Sequence, residues 1–188
     1  MRRLLAVAAV IAPLQAWSGD FPLRLALPPD FKDVTAALSP GQPPGDNVRM
    51  YCNAADAQLQ RAKLFGQRLY EKMEKGCFVV ELDASTRYDA AGGRFSIEKD
   101  IRGPAMNFNS PATSTTPRLE LKTSGAAKRE VKGMPTLSLT QVATSDYGVE
   151  RFQFLYVATP GGVWLARFLE GRDAKRSAGI WRAFVNGL

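Results

Sequence analysis

The sequence contains no histidine. That absence excludes a Ser–His–Asp or Cys–His nucleophile, a histidine-ligated zinc or haem, and a histidine pH switch. Cysteine occurs only twice, as Cys52 and Cys77, and neither belongs to a C-x-x-C pair, so a catalytic cysteine has little support. A glycine-rich phosphate loop is missing. Around Asp83-x-Ser85 and Asp89 the spacing of an EF-type calcium loop is missing too. No metal and no cofactor are therefore expected. Long apolar runs are also absent: the stretch Leu4 to Leu14 has 11 residues, where a membrane-spanning helix needs about 20.

What remains is a chain of 188 residues, 45% hydrophobic, enough for one domain with its own core. Its first residues have a distinct layout. Met1-Arg2-Arg3 is positive, Leu4 to Leu14 is apolar, Pro13 breaks the run, and the small residues Ala16 and Ser18 follow. This is the pattern of a secretory signal peptide cleaved after Ser18 or after Ala16. The stretch has no polar face, so it does not read as an amphipathic first helix. No cysteine follows it to carry a lipid. The expected organisation is a signal peptide over 1–18 and a single domain over 19–188, periplasmic or secreted, with no transmembrane anchor after cleavage.

Lysine and arginine number 25 against 18 acids, a net charge of +7. Residues 1–18 carry two of the arginines and no acid, so +5 stays on the remainder. In a cytosolic chain that balance would point to nucleic acid. On an exported domain it points instead to anionic headgroups, wall polymers or an acidic protein, and nucleic acid is not an expected partner.

Hydrophobic periodicity outlines the fold. Phe21 to Leu27 alternates as a strand, and Asp30 to Leu38 reads as a short helix. Ser39 to Asp46 is a turn-rich linker. Leu59, Ala62, Phe65, Leu69 and Met73 recur at helical spacing after Asn53, a residue suited to an N-cap, and Gly76 stops them. This spacing predicts one helix over about 54–75. From Cys77 the period turns to two. Strands are predicted at 77–82, 94–101, 118–122 and 136–142, with 125–133 as a charged connection. A hairpin is predicted over 151–169 around Thr159 to Gly162. Ala174, Ala178, Trp181, Phe184 and Val185 give a closing helix over about 173–187. The expected class is α+β: an antiparallel sheet of about five to six strands, with the long helix and the C-terminal helix packed on one face.

The two cysteines test that picture. An even pair in an exported protein suggests a disulfide between Cys52 and Cys77. An unbroken helix between them separates its ends by roughly 30 Å, while a disulfide needs Cα atoms within about 7 Å. Either the helix starts later or breaks near Gly66, or the thiols stay apart. The apolar stripe crosses Gly66 in phase, which favours the unbroken helix.

Two groups of residues carry the functional expectations. Glu81 and Asp83 share a strand face with Asp89 close behind, a set of carboxylates able to divide acid and base roles in glycoside cleavage. They are the candidate catalytic residues of a hydrolase acting on cell-wall polymers. Arg87, Arg94, Lys99 and Arg102 cluster around one predicted hairpin with Tyr88 and Phe108 beside them, the residue types that anchor interfaces. Without a nucleophile, metal set or phosphate loop, the favoured expectation is a non-enzymatic binding protein: an inhibitor, immunity protein or envelope accessory factor. It would recognise a protein or an envelope component, acidic in character, through those six residues.

Overall fold

The period-two stretches pair mainly with their neighbours in sequence, and the outcome is a sheet. The computed structural model describes residues 21–23, 25–38, 48–64 and 72–188. The signal segment expected over 1–18 and the linker expected over 39–46 lie outside the described residues. Along the chain come β1 (Lys32–Asp33), α1 (Thr35–Leu38), β2 (Val48–Cys52), α2 (Ala54–Leu64), β3 (Gly76–Asp83), β4 (Tyr88–Asp89) and β5 (Arg94–Phe95). A 3₁₀ turn (Ser96–Lys99) leads to β6 (Phe108–Ser110), β7 (Leu119–Val131), β8 (Met134–Ser145), β9 (Gly148–Thr159), β10 (Gly162–Glu170) and α3 (Ala174–Asn186). Eight strands form one antiparallel sheet in the order β1-β2-β3-β10-β9-β8-β7-β6, and β4 and β5 form a small second sheet. No helix among the described residues is long and apolar enough to cross a membrane.

This corrects the expected α+β architecture. Among the described residues the protein is mostly sheet, with eight strands in the main sheet instead of five or six, and no long helix is packed on it. The helix expected over 54–75 is described as α2 over Ala54–Leu64, and residues 72–75 are not helical. Nor do the helices share a face. Cys77 and Phe78 are neighbours in β3 and point to opposite sides of the sheet. Cys77 packs with Ala57 and Leu59 of α2, whereas Phe78 packs with Phe184, Ile180 and Trp181 of α3.

The main core lies under α3. Register places Phe78 opposite Phe168, Val80 opposite Ala166 and Leu82 opposite Trp164, and the Phe78 and Phe168 rings stack with centroids 4.4 Å apart. Asp173 caps α3 by accepting from the Arg176 amide at 2.9 Å. The buried stripe of α3 is Ser177 and Phe184 with half-buried Ile180, Trp181 and Val185; Ala174 and Ala178, expected on it, are exposed. Phe21, Leu23, Leu25, Leu27 and Phe31 join this core, but residues 21–23 and 25–27 belong to no strand. On the opposite face, Leu137, Leu139, Tyr156, Ala158, Val163 and Leu165 form a second core, covered by Phe95 and Ile101.

The third core explains the cysteines. Cys52 and Cys77 are directly opposite in the β2–β3 ladder, and they are disulfide-bonded with Cα atoms 4.6 Å apart. The favoured expectation of an unbroken helix with separate thiols is thus overturned: the chain reverses between α2 and β3. Asn53 caps α2 from its side chain, accepting from the Asp56 amide at 2.8 Å. Asp56 is fully buried. Its carboxylate accepts from the backbone N–H groups of Glu74 at 2.6 Å, Lys75 at 2.8 Å and Gly76 at 2.8 Å. This one side chain holds the entry of α2 against the entry of β3. Gly76 sits there at φ +97°, and a Cβ on it would meet the Leu169 carbonyl oxygen at 2.1 Å, so only glycine fits.

Candidate functional site

The residues 84–107 leave the sheet after β3, cross its second face and return at β6. Local side-chain bonds shape this excursion. Asp83 opens it with an Asx turn, accepting from the Ser85 amide at 2.8 Å, the Ser85 hydroxyl at 2.5 Å and the Thr86 hydroxyl at 2.5 Å. Asp89 turns the β4–β5 hairpin by accepting from the Ala91 amide at 3.0 Å. Arg87 and Ser96 clasp the hairpin: the Arg87 amide donates to the Ser96 hydroxyl at 2.9 Å, and the Ser96 amide donates to the Arg87 carbonyl at 2.8 Å. The Glu98 carboxylate accepts from the Phe95 amide at 2.8 Å and fixes the 3₁₀ turn. Phe95 then inserts into the second core, its ring 4.9 Å from Tyr88 and 6.4 Å from Tyr156.

The side chains that stay outside form a cleft of about 570 Å³. Arg87, Arg94 and Lys99 line it together with Lys128 of β7, against only two carboxylates, Asp89 and Glu98. Lys128 approaches Glu98 at 3.3 Å and donates to the Gly93 carbonyl at 3.3 Å. Arg87 donates to the carbonyls of Ala84 at 2.5 Å and Thr86 at 3.1 Å. Arg94 and Lys99 are exposed and make no ion pair among the described residues. The cleft is therefore cationic, with two charges uncommitted. An apolar cleft of about 460 Å³ adjoins it through Arg87, lined by Tyr88, Met134, Pro135, Ala158 and Val163 among others.

Of the six expected binding residues, the fold thus brings Arg87, Arg94 and Lys99 together and sets Tyr88 in the neighbouring cleft. Arg102 is exposed and lines neither cleft. Phe108 is half-buried on β6, opposite Leu121 at the sheet edge. Lys128 was not expected in the site. It lies in the charged stretch read as a connection, and only the ladder that sets it opposite Leu137 carries it to the cleft. Its signal in the sequence was the Lys132-Gly133 pair, a two-residue turn ahead of a second strand.

The three candidate carboxylates do not line one cleft. Asp89 lines the basic cleft, and neither Glu81 nor Asp83 does. Glu81 sits opposite Leu165 on β3 and pairs with Arg167 at 3.6 Å. Pairing runs from Glu81 through Leu165, Tyr156 and Leu137 to Lys128, four strand spacings or about 19 Å. Burial raises the Asp83 carboxyl, but the hydrogen bonds from Ser85 and Thr86 outweigh it and hold the group below the ordinary carboxylate range. The Tyr156 hydroxyl is pushed up to about 12 by burial and by the nearby Asp83 carboxylate. Among the described residues, no group of three or more Cys, Asp or Glu side chains is placed to hold a metal ion.

No protein-family model matches the chain, and no curated protein matches it significantly in sequence.

Proposed function

We propose that this is an exported, non-enzymatic binding protein, periplasmic or secreted, which recognises an acidic protein or an anionic envelope component through the basic cleft. One observation carries the reading. Arg94 and Lys99 stand exposed and, among the described residues, without an ion pair, beside Arg87 and Lys128 in a single cleft. Cations converging on a concave surface attract and orient an anionic partner. The disulfide between Cys52 and Cys77 and the signal-like N-terminus both fit an oxidising compartment. The alternative of a carboxylate-dependent hydrolase needs two carboxylates free to face one substrate. Asp83 is spent on its own turn and Glu81 is paired with Arg167, so the binding reading is the one we carry.

The test is affinity capture from envelope extract with the wild-type chain and with an Arg94→Glu/Lys99→Glu variant. Screening lengths fall from about 10 Å at 0.1 M salt to about 3 Å at 1 M. A saturable partner is expected at low salt, weakened by high salt and lost on charge reversal. Equal capture by the reversed variant, or no saturable partner at either salt, would refute the reading.

A further inference from the structure

One backbone feature lies directly beside the cleft. β7 runs from Leu119 to Val131, but β6 covers only Leu119 to Leu121. Thr123 has its amide satisfied by the Asn107 side chain at 2.6 Å. A bulge follows between Ser124 and Ala127, and beyond it no strand among the described residues pairs with the outer side of β7. Parity identifies the groups left open. The Thr136 hydroxyl donates to the Arg129 carbonyl at 3.0 Å and the Ser138 hydroxyl to the Ala127 carbonyl at 3.4 Å. Those carbonyls therefore face β8. The alternate residues, Lys128 and Glu130, turn their N–H and C=O groups outward. The same Lys128 sends its side chain into the cleft, and Arg129 and Lys132 add charge along the exposed edge.

An open edge is normally a hazard, and lysines and a bulge are common guards against self-pairing. Here the guards select. Lys128, Arg129 and Lys132 outnumber Glu130, so the edge repels a basic strand and attracts an acidic one. Resting on the binding reading above, we infer that the edge of β7 from Lys128 to Val131 takes an extended acidic segment of a partner protein as an added strand. Lys128 and Glu130 supply the backbone hydrogen bonds, and alternate carboxylates of the segment meet Arg94, Lys99 and Lys128. Main-chain pairing then supplies affinity and the cleft supplies the preference for acid.

The test uses the full chain and a short capped peptide alternating Glu with Val, alongside two versions N-methylated at one or the other set of alternate residues. Strand addition predicts binding at low salt, with the Lys128 and Glu130 amides protected from hydrogen exchange. It also predicts that one N-methylated version, the one whose outward groups must pair, binds roughly tenfold more weakly or worse. Glu130→Pro removes one outward N–H and is expected to weaken the parent peptide by a similar factor, with the far-ultraviolet spectrum unchanged. If both N-methylated peptides bind like the parent, or the two amides stay unprotected, strand addition is refuted and only a charged cleft remains. Absence of parent-peptide binding at millimolar concentration refutes it too. Failure of the underlying reading shows separately, as envelope capture indifferent to Arg94→Glu/Lys99→Glu.

Discussion

Asp56→Asn is the most demanding test of how this fold is held together. The carboxylate is fully buried and accepts three backbone N–H bonds, from Glu74, Lys75 and Gly76. Asparagine keeps the shape and one acceptor oxygen but presents an NH₂ where the other oxygen stood. The amide turns its oxygen to the Lys75 and Gly76 N–H groups, which share one carboxylate oxygen, and the Glu74 N–H then faces a donor. A charge-assisted bond lost costs about 1.5–3 kcal/mol, so the substitution is expected to cost at least about 1.5–3 kcal/mol. That is a sizeable share of the roughly 5–15 kcal/mol that holds an ordinary domain together. Urea titration followed by the fluorescence of the core tryptophans Trp164 and Trp181 measures it directly, in the oxidised protein so that the chain stays tethered at Cys52–Cys77. The midpoint should fall while the slope stays constant. A loss below about 1 kcal/mol, the typical cost of an unremarkable substitution, would show that Asp56 does not clamp the turn into β3.

Other outcomes follow from the same contacts. Reducing the disulfide frees a loop with a sequence separation of 25, which chain entropy values at about 3.5 kcal/mol. Because the bond and Asp56 close the same segment, the two perturbations together should cost measurably less or more than their sum, and strict additivity would separate them. Tyr156 should be the late phenol in an absorbance titration at alkaline pH, ionising near 12 against an ordinary 10.0. Its folded value is raised, so the stability it contributes is whole below about pH 10 and is lost as pH rises towards 12; Tyr156→Phe should remove that component. Asp83 has the opposite sign. Its folded value is depressed below the ordinary 3.8, so its contribution is present above that pH and is lost as pH falls through the folded value. Asp83→Asn should flatten the acid limb of the stability curve below about pH 4, and an unchanged limb would count against the Ser85 and Thr86 bonds.

Much of the sheet was legible where its strands bury apolar residues, as β3, β10 and the end of β9 do. The strand at 77–82 and the hairpin around Thr159 to Gly162 were readable as short runs of apolar and aromatic residues bounded by turn residues. The β7–β8 hairpin was not. Beyond Ser124, β7 is exposed at nearly every residue, so no face leaves an apolar trace, and Lys128 to Lys132 reads as solvated chain. The turn at Lys132, φ 49°, and Gly133, φ 76°, has the two left-handed residues of a two-residue hairpin, a local signal that the charge run concealed. The helix over 54–75 failed for a related reason. Its stripe continued in phase past Gly66, but Met73 faces the disulfide core from non-helical chain. Apolar spacing reports that residues are buried and does not report which turn buries them.

The site divides in the same way. The basic hairpin was visible as composition, and three of its six expected residues do share one cleft. Lys128, the fourth cation, comes from a strand paired across the sheet, and no local pattern marks a contact set by register. The carboxylates Glu81, Asp83 and Asp89 are close in sequence, yet side-chain bonds assign each to a separate task.

By itself the sequence determined what chemistry is missing, the basic balance, the alternation that makes strands, and the capping residue Asn53. These depend on residue type and near neighbours alone. Tertiary structure decided the pairing of Cys52 with Cys77, the opposite faces taken by α2 and α3, the burial of Asp56 and the arrival of Lys128 at the cleft. Each depends on which distant segments come to lie side by side, and burial, register and backbone satisfaction are properties of the assembled sheet.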